Sequence, residues 1–349
     1  MEASHFKITP EKEATFSQYF YRQFFGRTPI LTTKDVDLTG KTAIVTGSNT
    51  GIGLETTRQL LDLGLHRVIL AVRDIKKGEV AREQLSAGRE RPHQIEVWSL
   101  DLGLYPSIIE FSGRAKTLDH LDIVILNAGL YKVEESFNSL TGFEESIQVN
   151  YLSNMLLMIL LLPILKQKVH ERPARMVLVS SDTAAWVNFK PSGPILASFK
   201  LKTEKWNMQE RYGTTKLLGQ MFTSVLSEHV ASSIVTINAT NPGFCYGTEL
   251  QREGAGKVLG YVVALITRLI GKPVALGART IVHAACSFSV CKHTEVHGQY
   301  VEDGEIRPKA PLLYQPEGWR LCQQLWNETM EELSFANVKE CIEEVIQES

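Results

Sequence analysis

Short apolar runs alternate with helical stretches along most of the chain, and this rhythm predicts the fold. Seven runs are strand candidates: Thr42–Val45, Arg67–Val72, Ile95–Leu100, Ile123–Leu126, Met176–Ser180, Ile234–Ile237 and Gln299–Val301. Helical stretches separate most of them, which indicates βαβ units in a parallel sheet covered on both faces. We therefore expect an α/β fold with a single Rossmann-like, doubly wound parallel sheet of about seven strands, and no second domain.

The first segment outside this rhythm is an aromatic-rich extension, residues 1–38. Its aromatic residues recur at spacings of three and four, which predicts an amphipathic helix packed on the main domain, residues 39–349. They are Phe16, Tyr19, Phe20, Tyr21, Phe24 and Phe25. A helix at a membrane surface is the alternative, but its basic face would be thin, with only Arg22 and Arg27.

Two later segments also interrupt the pattern. Residues 182–211 contain two prolines and two tryptophans and are interpreted as an insert on the substrate side of the main domain. Residues 252–279 contain the mostly apolar stretch Val258–Ile270. This stretch predicts either a lid near 252–279 that covers a substrate cleft, or a helix that simply packs on the sheet.

Composition and charge narrow the functional classes. The 349 residues are 44% apolar with a formal net charge of −2, and no basic face stands out, so nucleic acid is not an expected partner. The five cysteines form no CxxC pair and no metal-ligand spacing, which favours a reducing compartment and no bound metal.

The apolar run Leu156–Leu165 is too short to span a bilayer and predicts a buried helix. With no secretory signal in Met1–Pro10, a cytoplasmic location is expected, with a membrane surface as the alternative.

A glycine-rich turn joins the first predicted strand to a helix. The sequence Thr46-Gly47-Ser48-Asn49-Thr50-Gly51-Ile52-Gly53 leads directly into the helical stretch Leu54–Leu63. Glycines let a backbone approach a pyrophosphate, and the helix N-terminus adds free N–H groups and a positive dipole end. Gly47, Gly51, Ile52 and Gly53 are therefore predicted to bind a dinucleotide, although an ordinary tight connection has the same composition.

The end of the second predicted strand bears on the choice of nucleotide. It reads Ala71-Val72-Arg73-Asp74, and an arginine here suits a 2′-phosphate better than a 2′-hydroxyl. Lys77 adds charge one turn later. We therefore expect NADP(H) as the cofactor. In the alternative, Arg73 is a solvated surface cation and Asp74 contacts the ribose.

The spacing G-x-x-x-G-x-G resembles the turn of the short-chain dehydrogenase/reductase family. Further motifs of that family follow in its order: Asp101-Leu102, the turn Leu126-Asn127-Ala128-Gly129, Asn150, Ser180-Ser181, Tyr212-Gly-Thr-Thr-Lys216, Asn241-Pro242-Gly243 and Thr248. The resemblance covers roughly residues 39–305. It implies that Asp101, Asn127 and Thr248 contact the cofactor, although Thr248 comes later after the glycine than is usual in the family.

The same resemblance implies a catalytic set of Asn150, Ser181, Tyr212 and Lys216. Tyr212 and Lys216 are four residues apart and share one face of a helix. The lysine ammonium and an oxidised nicotinamide are expected to lower the tyrosine pKa, so that Tyr212 acts as the proton donor and Lys216 also holds the nicotinamide ribose. Ser181 would stabilise the developing alkoxide, and Asn150 would fix a water beside Lys216.

Two longer phrases, Val68–Asp74 and Asn241–Leu250, resemble the retinol-dehydrogenase-like branch, and Gln23-Phe-Phe with Thr28-Pro29 resembles fungal short-chain reductases of secondary metabolism. The resemblance implies an NADPH-dependent oxidoreductase that interconverts a ketone or aldehyde and an alcohol on a lipophilic small molecule, such as a polyketide or terpenoid. A non-catalytic NADP(H)-binding redox sensor is the alternative. Family members commonly form homodimers through the helices that here carry Asn150–Leu165 and Tyr212–His229.

Overall fold

A mostly parallel β-sheet forms the centre of the fold. The computed structural model describes residues 6–89, 93–168, 173–248, 268–287 and 293–346. Its strands are β1 (Thr42–Thr46), β2 (Arg67–Val72), β3 (Gln94–Ser99), β4 (Ile123–Leu126), β5 (Ala174–Val179), β6 (Val235–Thr240), β7 (Cys245–Tyr246), β8 (Lys272–Pro273), β9 (Tyr300–Glu302) and β10 (Glu305–Arg307). The main sheet has eight strands in the order β10-β9-β6-β5-β4-β1-β2-β3, and β7 pairs with β8 separately. The expected doubly wound α/β fold is confirmed, with one strand more than seven.

Helices cover both faces of this sheet. They are α1 (Pro10–Glu13), α2 (Phe16–Phe25), α3 (Gly51–Asp62), α4 (Ile75–Ser86), α5 (Tyr105–Ala115), α6 (Glu145–Ile147), α7 (Ser153–Lys168), α8 (Ile195–Ser198), α9 (Met208–His229), α10 (Val274–Cys286), α11 (His293–Val296), α12 (Pro316–Glu332) and α13 (Val338–Ile346). A π-helical turn at Gln148–Leu152 joins α6 to α7, and short 3₁₀ helices lie at Asp182–Trp186, Pro311–Tyr314 and Ser334–Ala336.

The inner strands are buried on both sides, whereas the edge strands β3 and β10 are partly exposed. Successive side chains point to opposite faces of the sheet. In β1, Ile44 packs into the core beneath α5, α7 and α9, whereas Ala43 and Val45 pack into the core on the α3 and α10 side. In β5, Met176 and Val177 divide between the same two cores. This explains why the strands read as continuous apolar runs rather than as alternating patterns.

The additional strand, β10, pairs antiparallel with β9 at the edge of the sheet. Asp303 and Gly304 form the turn between them, with φ values of 49° and 80°. Two successive positive φ values are typical of the tight hairpin turn for which Asp-Gly is a strong sequence signal. The expectation of an all-parallel sheet was wrong at this edge because three-residue strands leave no visible periodicity.

The N-terminal segment, from Phe6 to Leu38, packs against the sheet edge and the insert. Trp186 Nε1 donates a 2.9 Å hydrogen bond to the carbonyl oxygen of Ala14. Arg22 does not belong to a basic surface as the sequence suggested, because its side chain is buried among three carboxylates. Residues 249–267, which include most of the predicted lid, lie outside the described residues, so the lid stays a prediction.

The long apolar helix is part of the core. The run Glu145–Lys168 is long and apolar enough to cross a membrane by length and composition alone, but 89% of its most apolar window is buried inside the fold. The C-terminal helices α12 and α13 pack over α9 and α7. Phe222 of α9 stacks on Trp326 of α12 with ring centroids 4.8 Å apart. The helix faces expected to pair in a homodimer are thus covered by the chain itself.

Candidate active site

The glycine turn forms a close-packed cradle between β1 and α3. Gly47 has a φ of 65°, which L side chains rarely adopt. A Cβ at Gly53 would collide with the Gly47 carbonyl oxygen and with Nδ2 of Asn127. Thr50, at the N-cap of α3, makes no side-chain bond to the helix. The first-turn N–H groups are therefore not occupied by a cap, and the turn fits a pyrophosphate.

Asn127 ties the glycine turn to the end of β4. Its Nδ2 donates to the carbonyl oxygen of Thr46 at 2.9 Å, and its backbone N–H donates to the Thr46 hydroxyl at 2.9 Å. Asn127 thus links the end of β1 to the end of β4. It also lines a cavity at the carboxyl ends of the parallel strands. Its predicted cofactor contact remains a prediction.

Exposed cations after β2 line the same cavity, the two predicted ones among them. Arg73 and Lys77 are exposed and line it. The carboxylate of Asp74 accepts a hydrogen bond from the backbone N–H of Lys77 at 3.1 Å and so caps α4. The cap uses one carboxylate oxygen, and Asp74 also lines the cavity, so the alternative in which it binds the ribose stays open.

Two more predicted cofactor contacts line this cavity. Asp101, just after β3, is half-buried, and its Oδ1 accepts a hydrogen bond from the backbone N–H of Gly103 at 2.8 Å. Thr248 follows β7 and also lines the cavity. The structure therefore brings residues from β1, β3 and β7 to one opening, at the carboxyl ends of the parallel strands.

Tyr212 and Lys216 lie one turn apart on α9. The Lys216 ammonium is 5.4 Å from the centre of the Tyr212 ring and donates to the carbonyl oxygen of Val179 at 2.8 Å. Burial lowers the pKa of Lys216 to about 8. Burial, together with the neighbouring Tyr131, raises the pKa of Tyr212. In the protein alone the tyrosine pKa is thus raised, because burial disfavours the phenolate. The expected lowering also depended on an oxidised nicotinamide and stays a prediction.

Asn150 sits in the π-helical turn before α7, behind the cavity wall. Its amide bonds both backbone groups of Leu130 at 2.8 Å and contacts the Thr215 hydroxyl at 3.2 Å. A π-turn widens the helix locally and often occurs at functional sites. Here it leaves Asn150 buried, with its side chain between the β4 loop and α9, rather than on the open surface of the cavity.

Ser180 and Ser181 follow β5, and both line the cavity with Tyr212. Ser181 also caps the 3₁₀ helix that starts the insert, because its Oγ accepts from the backbone N–H of Thr183 at 3.3 Å. The preceding Ser180 is buried and accepts a hydrogen bond from Gln220. Of the two serines, Ser181 is therefore the one available to a substrate.

Most of the predicted site residues line one cavity of about 1270 Å³. Of the predicted site residues it is lined by Gly47, Gly51, Ile52, Gly53, Arg73, Lys77, Asp101, Asn127, Ser181, Tyr212, Lys216 and Thr248. Asn150 does not line it but bonds residues that flank it. In the described part of the chain, no group of three or more His, Cys, Asp or Glu side chains could hold a metal ion.

Comparison with known proteins agrees with this arrangement. A family model for short chain dehydrogenases matches residues 41–191. The short-chain dehydrogenase fogG of Aspergillus ruber is 53% identical, over 97% of this chain and 98% of its own length. The chain belongs to the short-chain dehydrogenase/reductase family. A short chain dehydrogenase/reductase of Annulohypoxylon moriforme, mfmJ, is 39% identical over 97% of both chains. Both organisms are fungi, so the predicted likeness to fungal members is confirmed.

The fold is shared with solved structures of low sequence identity. An uncharacterized protein from Mycobacterium paratuberculosis aligns with a TM-score of 0.62 and 24% identity, over 87% of this chain and 97% of its own. As a member of the short-chain dehydrogenase/reductase family, the chain is an oxidoreductase with a Rossmann fold.

Sequence reasoning missed several residues of this short-chain dehydrogenase cavity. Tyr131 lies edge-on to Tyr212 with ring centroids 5.0 Å apart. Phe16, Tyr19 and Phe20 of α2 also line the cavity. The aromatic spacing of α2 predicted a helix, but nothing in that spacing indicated which part of the fold it would contact.

Proposed function

We propose that this chain interconverts a carbonyl and an alcohol on a lipophilic small molecule, with NADP(H) as cofactor. The observation that carries the proposal is that Tyr212, Lys216 and Ser181 line one cavity with the glycine turn and Arg73. A proton donor, a cation, a hydroxyl and a dinucleotide cradle are the groups that such a reaction needs. When bound, NADPH supplies the hydride that is added to the carbonyl carbon.

The protein's own groups handle the proton and the developing charge. As the carbonyl oxygen gains electron density, Ser181 donates a hydrogen bond to it and Tyr212 transfers its phenolic proton to it, which yields the alcohol. The raised pKa keeps Tyr212 protonated and ready to donate at neutral pH. The ammonium of Lys216, held by Val179, then favours the phenolate until a proton returns.

The cofactor preference rests on Arg73 and Lys77, the exposed cations at the end of β2. A phosphate dianion pairs well with a guanidinium, and Asp74 is engaged in capping α4. The lipophilic substrate and a place in fungal secondary metabolism, on a polyketide or terpenoid, rest on the resemblance of Val68–Asp74 and Asn241–Leu250 to the retinol-dehydrogenase-like branch and on the fungal relatives.

The test is NADPH oxidation with a panel of ketones and aldehydes, in the unmodified chain and in Tyr212→Phe. Tyr212→Phe should lower kcat and kcat/KM together by about 10²–10⁴-fold, the usual contribution of a positioned general acid. Its dissociation constant for NADPH should change little. Tyr21→Phe is the matched control, since Tyr21 is 62% exposed on α2 and lies outside the cavity.

Two outcomes would overturn the proposal. Near-normal turnover of Tyr212→Phe, with chemistry rate-limiting, would remove Tyr212 from the mechanism. Tight NADPH binding with no carbonyl turned over by the unmodified chain would favour the redox-sensing scaffold instead.

A further inference from the structure

One wall of the cavity consists of aromatic side chains that take no part in the proposed chemistry. Phe16, Tyr19 and Phe20 come from α2, and Trp186 comes from the 3₁₀ helix that follows Ser181. We call these four residues the aromatic wall. Phe16 is 60% and Phe20 43% exposed, so a large part of each side chain is accessible to a ligand. The aromatic wall lines the same cavity as Tyr212.

The rings of the aromatic wall hold fixed angles to each other. Phe16 lies at 30° to Trp186 with centroids 4.8 Å apart, and Tyr19 meets Trp186 edge-on at 84° and 5.1 Å. The Trp186 indole is held in turn by its hydrogen bond to Ala14. Aromatic rings attract each other in these tilted and edge-on arrangements, so a further planar ring would find both faces and edges to pack against.

The helix that carries the wall is anchored from below. Gln23 donates hydrogen bonds to the carbonyl oxygens of Phe244 and Ile270, at 2.8 and 2.9 Å, and accepts one from the Phe244 N–H at 3.1 Å. Phe244 and Ile270 themselves line the cavity. Helix α2 is therefore already ordered in the folded protein. Substrate binding does not carry the entropy cost of ordering it, which favours a higher substrate affinity.

The aromatic wall and the cations proposed to bind the nucleotide lie in different parts of the cavity. The cations Arg73, Lys76 and Lys77 lie at the end of β2 and the start of α4, whereas the aromatic wall adjoins Ser181 and Asp182. The cavity volume of about 1270 Å³ exceeds the 300–1,000 Å³, roughly, of a pocket for one small ligand. The cavity thus has room for a second ligand beside a dinucleotide.

We propose that Phe16, Tyr19, Phe20 and Trp186 form a subsite that binds an aromatic ring of the substrate. The substrate class is then an aromatic ketone or aldehyde, or the corresponding alcohol. This assignment rests on the proposed carbonyl reductase function. It gives the N-terminal segment a role in substrate selection in addition to packing.

The first experiment compares acetylnaphthalene with its saturated counterpart, acetyldecalin, which keeps the ketone and the carbon skeleton. Each ring contact is worth about twofold to tenfold in affinity. We expect kcat/KM to be about tenfold higher for acetylnaphthalene.

The double variant Phe16→Leu/Phe20→Leu should reduce this preference through KM, with kcat little changed, because the ring is bound alike in the ground and transition states. Phe25→Leu is the control, being 67% exposed on the same helix and outside the cavity.

The second experiment measures binding without turnover. Calorimetry should detect acetylnaphthalene binding to the Tyr212→Phe protein saturated with NADP⁺, more tightly than acetyldecalin, and the double variant should remove the difference. Equal binding and equal kcat/KM for both ketones would overturn the subsite and leave the reductase function standing. Selective binding of acetylnaphthalene without turnover of any carbonyl by the unmodified chain would overturn the reductase function and keep the subsite. Absence of both binding and turnover would overturn both.

Discussion

The guanidinium of Arg22 lies 2.7 Å from the carboxylate of Asp182, the residue that follows Ser181. The same guanidinium pairs with Glu13 at 2.8 Å and with Glu302 at 3.1 Å, and its side chain is only 5% exposed. Burial, reinforced by the nearby Asp182 carboxylate, raises the pKa of Glu302. Arg22 is thus shared by three carboxylates, one of which adjoins the proposed catalytic serine, and Arg307 lies 3.7 Å from Glu13 as a second cation.

Replacing Arg22 should therefore destabilise the fold. Arg22→Met leaves buried carboxylates without their cation, which typically costs about 3–5 kcal/mol. Urea denaturation should show this loss in the free energy of unfolding. Arg320→Met is the matched control, because Arg320 is 74% exposed in its pair with Glu317 and an exposed ion pair contributes little to stability. Equal effects of the two substitutions would contradict the structural role given to Arg22.

Cofactor preference should depend on Arg73. Removal of one charge-assisted hydrogen bond costs about 1.5–3 kcal/mol. Arg73→Ala should therefore narrow the ratio of NADPH to NADH affinity by at least about tenfold, with NADH binding nearly unchanged. Arg82→Ala is the control, because Arg82 lies on α4, the helix that follows Arg73, and outside the cavity. If the unmodified chain binds both cofactors equally, Arg73 does not recognise a 2′-phosphate.

The parts of the fold that repeat a short physical pattern could be predicted from the sequence. All seven predicted strands overlap strands of the sheet, because each contains a short run rich in apolar residues. Strand β10 and the four-residue helix α8 were missed, since neither is long enough to show a period. The glycine turn and Tyr212–Lys216 could be located because their chemistry depends on local spacing.

Contacts between distant segments could not be predicted in this way. The buried ion pair between Arg22 and Glu302 joins residues 280 positions apart, and no local pattern encodes that pairing. Burial raises the pKa of Tyr212 in the protein alone, and burial depends on the packed neighbours rather than on the motif. The aromatic residues of α2 were recognised as a helix, but their place at the cavity follows only from the tertiary fold.

The insert should contribute to the core as well as to the cavity. Ile195 and Leu196 of α8 are buried, and the Glu328 carboxylate accepts hydrogen bonds from both of their backbone N–H groups, at 3.0 and 2.7 Å. Leu196→Ala should cost about 2–5 kcal/mol of stability, as for other buried leucines. Leu201→Ala, 67% exposed in the same insert, is the control. If both variants had equal thermal stability, α8 would not contribute to the core, and the insert would be a surface element.

The chain should not pair through α7 and α9, because α12 and α13 already cover them. Besides the stacking of Phe222 on Trp326, the Tyr151 hydroxyl lies 2.6 Å from the Thr329 hydroxyl, and Lys166 donates to the Glu344 carbonyl oxygen at 2.7 Å. Sedimentation equilibrium should therefore give a monomer. A dimer whose cross-links join α7 or α9 of two chains would contradict this prediction.

The pH dependence of kcat/KM for NADPH should follow the protonation state of Lys216. Because burial lowers its pKa to about 8, the side chain is an ammonium below that pH and loses its charge above it. The pKa of Tyr212 is raised, so the phenol stays protonated through the same range. A single transition near pH 8 is thus expected, and it belongs to the lysine.

The kcat/KM for NADPH in carbonyl reduction reflects the protein before the cofactor binds, which is the state whose pKa matters here. It should be constant below about pH 8 and fall above it, as Lys216 loses the charge that orients the ribose and supports proton transfer from Tyr212. Lys216→Arg, which keeps its charge at all these pH values, should be much less active but should lose the transition. A profile for the unmodified chain that stays flat to pH 10, the ordinary range of a lysine, would show that burial does not tune this group.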